Sequence, residues 1–182
     1  MNEYEAKFVV DLLFKHLKIK KYEDSIGIIT ISKSHADLIK KVISDRLKVD
    51  EEFNFLYNRE CKKYKSNAGI YISSIPEILY KKIDIVIFSL GGERNIENEV
   101  EIKFSDIEGR NCRNKLNMFL MMTQYEMDIV TSLSISDIES KEYSNENANI
   151  LKKYLHYANE IYNGNVDKIM NELNCDESDN SK

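Results

Sequence analysis

Two short runs, Ile26-Gly27-Ile28-Ile29-Thr30 and Asp84-Ile85-Val86-Ile87-Phe88-Ser89, constrain the fold of this chain more than any other feature. They are β-branched or aromatic at almost every position and lack the apolar-polar alternation of a strand with one face in water. A strand that is apolar on both sides needs cover on both sides. That is the situation of a strand inside a parallel sheet flanked by helices.

The rest of the chain supplies those helices. Phe8, Val9, Leu12, Leu13 and Leu17 recur at helical spacing and predict an amphipathic helix over 3–18. After a strand at 26–31, Ser32 or Ser34 can cap a helix running to about Leu47, with Ala36, Leu38, Ile39, Val42, Ile43 and Leu47 on one stripe. Residues 51–68 read as a short helix and a loop, Ile70 to Ser73 as a short strand, and Pro76 as the start of a helical turn. Gly91-Gly92 ends the strand at 84–89. A polar loop to about Arg110 then leads into a helix from Asn114 to Gln124 and a strand at 127–132. The segment 147–173 is helical, with Ile150, Leu151, Tyr154, Leu155, Ala158 and Ile161 as its stripe and Gly164 separating a terminal helix. Strands and helices alternating with crossover-length connections imply an α/β domain with a mainly parallel sheet flanked by helices. It is expected to occupy 1–162, with a terminal helix and a polar acidic tail over 163–182.

Composition narrows the function classes. At 182 residues and 42% hydrophobic, the chain is the size of one domain with a real core. A net charge of −5 argues against sequence-blind nucleic-acid binding by bulk electrostatics. Local basic clusters remain at Lys15 to Lys21 and at Lys62, Lys63 and Lys65. Cys61, Cys112 and Cys175 form no CxxC pair and read as ordinary thiols. The apolar runs are too short to cross a membrane, and MNEYEAKFVV lacks the basic and apolar blocks of an export signal, so a soluble cytoplasmic protein is expected.

Familiar catalytic patterns are sparse. There is no GxxxxGK[ST] phosphate loop; the adjacent glycines Gly91-Gly92 are followed by Glu93 and Arg94. His16, His35 and His156 fall on separate helices without metal-ligand spacing, and no Ser-His or Cys-His arrangement is signalled. Neither a metal nor a cofactor is expected. The acids Asp84, Glu93, Glu97, Glu99, Glu101, Asp106 and Glu108 include a Glu99-Val100-Glu101 and Lys103 pattern of the kind nucleases use. No Asp precedes it on a hairpin, and an acid-rich polar loop is ordinarily just solvated.

Three segments carry a resemblance: ITISKSHADLI (29–39), SSIPEILYKKIDIVIFS (73–89) and KLNMFLMMTQYEMDIVTSL (115–133). Their order and spacing, with SLSISDIE and NILKKYLHYANEIYNG behind them, resemble the second RecA-like lobe of superfamily one DNA/RNA helicases. The likeness is to the large bacterial and archaeal helicase-like proteins found beside restriction or defence modules. It covers about 150 residues and is one of frame more than of catalytic residues. It implies that His35 stands where the family tends to have Gln, and that Leu79 and Tyr80 replace a Gln-Gly pair that meets the nucleotide. The run Lys115, Leu116, Asn117, Met118, Phe119, Leu120, Met121, Met122, Thr123 and Gln124 falls on the family's Arg-Leu-Asn-Val-Ala-Ile-Thr-Arg-Ala-Arg. Leu116 and Asn117 match, and Met122 stands at the arginine finger, where a thioether cannot replace a guanidinium.

The expectation from the resemblance is a non-catalytic, stand-alone lobe that docks a protein partner, either an ATPase or a defence-system subunit. Its former nucleotide and lobe-interface face would comprise Leu79, Tyr80, Lys115, Asn117, Met122 and Gln124. Two rivals stay open. One is binding of single-stranded nucleic acid through Ser32, Lys33, His35, Lys62 and Lys63. The other is an ATPase completed in trans by a phosphate-loop partner, with Arg110 or Arg113 as substitute finger. His35 is alternatively a solvent-facing residue in the first turn of its helix. Met118, Met121 and Met122, on one helical face, either fill the core or form an adaptable surface for a partner.

Overall fold

The computed structural model describes residues 2–21, 23–63, 70–94, 100–102, 104–140 and 143–165. Within them the chain runs α1 (Glu3–Ile19), β1 (Ile26–Thr30), α2 (Lys33–Val49), α3 (Glu51–Lys63), β2 (Ile70–Ser74), β3 (Ile83–Ser89), β4 (Glu93–Arg94), β5 (Val100–Glu101), α4 (Arg110–Met122), β6 (Thr123–Val130), α5 (Ile135–Glu139) and α6 (Glu146–Tyr162). Strands β2-β1-β3-β6, in that order, form one parallel sheet. A separate antiparallel pair, β4 and β5, has no counterpart in the sequence reading.

The two apolar runs are the central strands. All of β1 and every residue of β3 except Asp84 are buried. Alternate residues of β3 point to opposite faces. Ile85 and Ile87 join Val9, Leu13, Leu17, Ile39, Ile43 and Phe53 under α1, α2 and α3. Val86 and Phe88 join Leu116, Phe119, Met122, Leu151 and Leu155 under α4 and α6. The result is a helix-sheet-helix layering in which a continuous apolar run is needed because each layer takes half of it. Asp84 is the one residue of the two strands that is not buried. Its Oδ2 accepts from the Ser25 backbone N–H at 2.8 Å and from the Ser25 hydroxyl at 2.7 Å, closing the entrance to β1 and β3.

The connection from β2 to β3, residues 75–82, crosses β1 without a full helix. Pro76 lies in a single 3₁₀ turn (Ile75–Glu77), as the sequence suggested, and the chain then returns extended. Ile75 and Ile78 are fully buried beneath α4, which lets so short a segment serve as the cover for that face.

Several boundaries differ from expectation. The helix after residue 51 is continuous to Lys63, and α4 spans Arg110–Met122 instead of Asn114–Gln124. β6 begins at Thr123, four residues before the predicted strand, because pairing of Ile83 with Thr123 and Ile85 with Glu126 recruits polar residues that apolar patterning does not register. The predicted terminal helix beyond Gly164 and the acidic tail lie outside the described residues.

Phe88 on β3 and Phe119 on α4 meet with ring centroids 4.5 Å apart, both fully buried. Phe119→Ala is expected to destabilise the fold by about 3–5 kcal/mol. Urea denaturation checks this, the midpoint falling while the slope is retained.

Candidate functional site

In open α/β sheets the crevice beyond the carboxyl ends of the strands is the usual ligand position. Here that edge is filled by a buried polar network. After β1, Thr30 Oγ1 donates to the Ser32 carbonyl at 2.7 Å, and Ser32 Oγ caps α2 by accepting from the His35 N–H at 3.2 Å. His35 turns inward and is 2% exposed, with Nε2 2.8 Å from Ser89 Oγ at the end of β3. Ser89 Oγ donates to Glu5 Oε1 at 2.6 Å, and the Gly91 N–H donates to the same oxygen at 2.7 Å. Glu5 Oε2 accepts from the Ser132 N–H, just beyond β6, at 3.2 Å. Asn2 caps α1, and its Nδ2 donates to the Gly92 carbonyl at 2.7 Å and to Ser132 Oγ at 2.5 Å.

One carboxylate thus ties α1 to the ends of β3 and β6. Because the single Ser89 hydrogen goes to Glu5, His35 Nε2 is the donor toward Ser89. Gly91 has φ +68°, and a Cβ there would lie 2.6 Å from His35 Cγ, so backbone and packing both require glycine. Burial pushes the Glu5 carboxyl above its ordinary range, and its hydrogen bonds from Ser89, Gly91 and Ser132 pull it part of the way back.

Ser89, His35 and Glu5 have the residue types of a hydrolytic triad but not its order. The carboxylate holds the serine hydroxyl directly instead of orienting the imidazole, and all three side chains are buried. The arrangement clamps the sheet edge. Both readings of His35 as an outward residue are corrected: it is neither solvent-facing nor available to nucleic acid, because the first turn of α2 presents it to the sheet.

The segments bearing the helicase resemblance meet at the connection 75–82. Lys33 Nζ lies 2.6 Å from Glu77 Oε1, and Lys115 Nζ donates to the Ile78 carbonyl at 2.6 Å. Beside these contacts Leu79 and Tyr80 are 68% and 61% exposed. Asn117 is exposed on α4 and Gln124 at the start of β6. Met122 is 1% exposed in the core with Leu116 and Phe119. The methionine row divides, which corrects the single face expected for it. Met122 is core, Met118 packs partly against it, and Met121 is 72% exposed.

The residues considered for nucleic acid do not form one track. Ser32 is buried as a cap and Lys33 is paired with Glu77 at the carboxyl end of β1. Lys62 is exposed on α3, near the opposite end of the sheet, where Arg59 Nη2 donates to the Leu17 carbonyl at the end of α1. The Lys63 side chain, Lys65, Glu97, Glu99 and Lys103 fall outside what the structure describes. Asp106 and Glu108 are exposed in the loop before α4.

Sequence reasoning missed one cluster. His16, buried on the apolar stripe of α1 between Leu13 and Leu17, places Nε2 2.5 Å from Asp128 Oδ2 on β6, with Glu126 beside it. The available signal was a histidine at a core-facing helix position, which calls for a polar partner from another element.

No family model matches the chain. It is 24% identical over 165 residues to an uncharacterised ATP-dependent helicase of Mycoplasma pneumoniae. It is also 25% identical over 172 residues to one of Mycoplasma genitalium. The alignments cover 89% and 92% of the chain but 14% of each relative, so it spans about one-seventh of their length. The chain is therefore helicase-like over most of its length.

The raised Glu5 carboxyl makes a testable contribution to stability. A group whose folded pKa exceeds its unfolded value, near 4.5 for Glu, contributes stability that is complete below that value and lost as pH rises through the folded pKa. Wild type should lose stability relative to Glu5→Gln as pH is raised from the acid side of that value. Urea midpoints of both proteins across the range check this, and a pH-independent difference would contradict it.

Proposed function

We propose that this helicase-like chain is a degenerate second RecA-like lobe of the superfamily one type, inactive in ATP hydrolysis, that serves as a docking or regulatory module in a nucleic-acid-processing or defence system. Met122 carries the reading. In the ungapped register of the resemblance it holds the place of the arginine finger, and it is packed into the core at 1% exposure. A thioether offers no charge to a phosphoryl group in transfer, and a guanidinium at that place would be buried among Leu116 and Phe119 at high cost.

The substitute arginines fit poorly. Arg110 and Arg113 lie in the first turn of α4, and Arg113 Nη1 is 2.9 Å from Glu146 Oε1. Arg113 is about 13 Å along the helix axis from Met122. The docking face in this proposal is the exposed part of the motif surface, Leu79, Tyr80 and Asn117, braced by Lys115 on Ile78. Its partner is a phosphate-loop ATPase or a defence-system subunit.

A second reading, contact with single-stranded nucleic acid, is favoured by one surface. On α3, Phe55 is 67% exposed and shares a groove with Lys48, Arg59 and Lys62, an aromatic platform beside cations. It predicts binding that weakens with salt and is lost on Phe55→Ala or Lys62→Ala.

The deciding experiment is affinity capture with wild type and with a Leu79→Ala, Tyr80→Ala, Asn117→Ala triple variant, followed by ATPase assays of the recovered complexes and of the chain alone. The expected result is no turnover by the chain, and a phosphate-loop partner whose rate changes with the chain present and whose recovery the triple variant abolishes. ATP hydrolysis by the purified chain would overturn the proposal, and undiminished recovery by the variant would overturn the docking face.

A further inference from the structure

We propose that His16, Glu126 and Asp128 form a binding site for a divalent first-row transition-metal ion on the edge of the sheet, joining α1 to β6. Glu126 and Asp128 are two apart on a strand and so share one face, the face that sends Val130 into the core beneath α1. His16 comes to that face from the last turns of α1, its ring held by burial at 4% exposure with Nε2 directed at the strand. One ligand atom from each of the three lies within 4.8 Å of the others. Ligands at about 2.0–2.2 Å from a tetrahedral ion stand roughly 3.3–3.6 Å apart, so the set closes on an ion with small movements.

The freedom for those movements is on the carboxylate side. The Asp128 side chain is 29% exposed and Glu126 is exposed, while the imidazole is fixed. On binding, Nε2 gives up its hydrogen, to Nδ1 in a neutral ring or to solvent from a cationic one, and its lone pair meets the ion in place while the Asp128 carboxylate swings from the imidazole to ligate it. A plain histidine-aspartate pair accounts for two of the three groups. It leaves the Glu126 carboxylate with no hydrogen bond or ion pair among the described residues, its negative charge close to Asp128 on a chain of net charge −5. A cation removes that repulsion.

The donor set selects the ion class. One imidazole and two carboxylates suit zinc or a neighbouring transition ion, with water in the remaining position, and offer too few oxygens for the six to eight that calcium takes. The site sits on the same two elements that Glu5 joins near the carboxyl edge of the sheet, so an ion would hold α1 against β6 at a second point.

The test is calorimetric titration of zinc chloride, at neutral pH, into the full chain stripped with chelator, with thermal melts in parallel. A single equivalent should bind and raise the melting temperature. Glu126→Gln should weaken binding by about tenfold or more, as loss of a metal-site group does. His16→Gln and Asp128→Asn should remove it. Glu126 is exposed, so its variant keeps the question open to test if the His16 variant does not fold. Absence of saturable binding below the millimolar range would overturn the proposal. Binding of undiminished strength in Glu126→Gln and Asp128→Asn would also overturn it, placing the ion elsewhere.

Discussion

Burial of β1 and β3 on both faces is the constraint on which the rest of this structure depends. Their backbone groups are satisfied by neighbouring strands, and their side chains leave no face that water can cover. Each helix is recruited to one side or the other, and even the short connection 75–82 contributes Ile75 and Ile78 to the roof. Gly27 shows how close the fit is. A Cβ there would stand 2.7 Å from Ile83 Cδ1, so the middle of β1 has no room for a side chain unless Ile83 shifts.

Covering both faces leaves the strand ends, where backbone groups and loop residues meet without a regular ladder. The protein closes the carboxyl end with one acid from α1. Glu5 accepts from Ser89, Gly91 and Ser132, so one side chain from the first turn of the N-terminal helix holds the ends of two strands. Burying a carboxylate is costly unless its oxygens are hydrogen-bonded, and these donors supply part of that compensation. The same contacts occupy the region where an α/β domain ordinarily receives a ligand.

The parts legible in the sequence were those governed by periodicity and by local capping. The central strands, the helices α1, α2 and α6, the Ser32 cap and the turn at Pro76 all follow from patterns within a few residues. The start of β6 was not legible, because Thr123 to Glu126 owe their strand conformation to β3 across the sheet. His35 illustrates the same limit at the site. Its cap geometry is local, but its inward direction depends on Ser89, 54 positions away. His16 and Asp128, 112 positions apart, carry no mark of each other in the sequence.

The helicase likeness and the structure bear on different parts of the molecule. Leu116 and Asn117 both match the pattern of the family that the chain resembles, yet Leu116 is fully buried under the sheet and Asn117 lies on the surface. A leucine retained in the core is explained by packing alone and says little about function. The informative exposure is that of Leu79 and Tyr80, large apolar surfaces left in water on the connection that Lys33 ties to α2 and Lys115 to α4. Met122 packs into the core with Leu116, while Leu79, Tyr80 and Asn117 offer bulk and polarity at the surface. Large apolar side chains held in water on a braced segment gain from being covered, and on this ground the proposed docking face is the surface formed by Leu79, Tyr80 and Asn117.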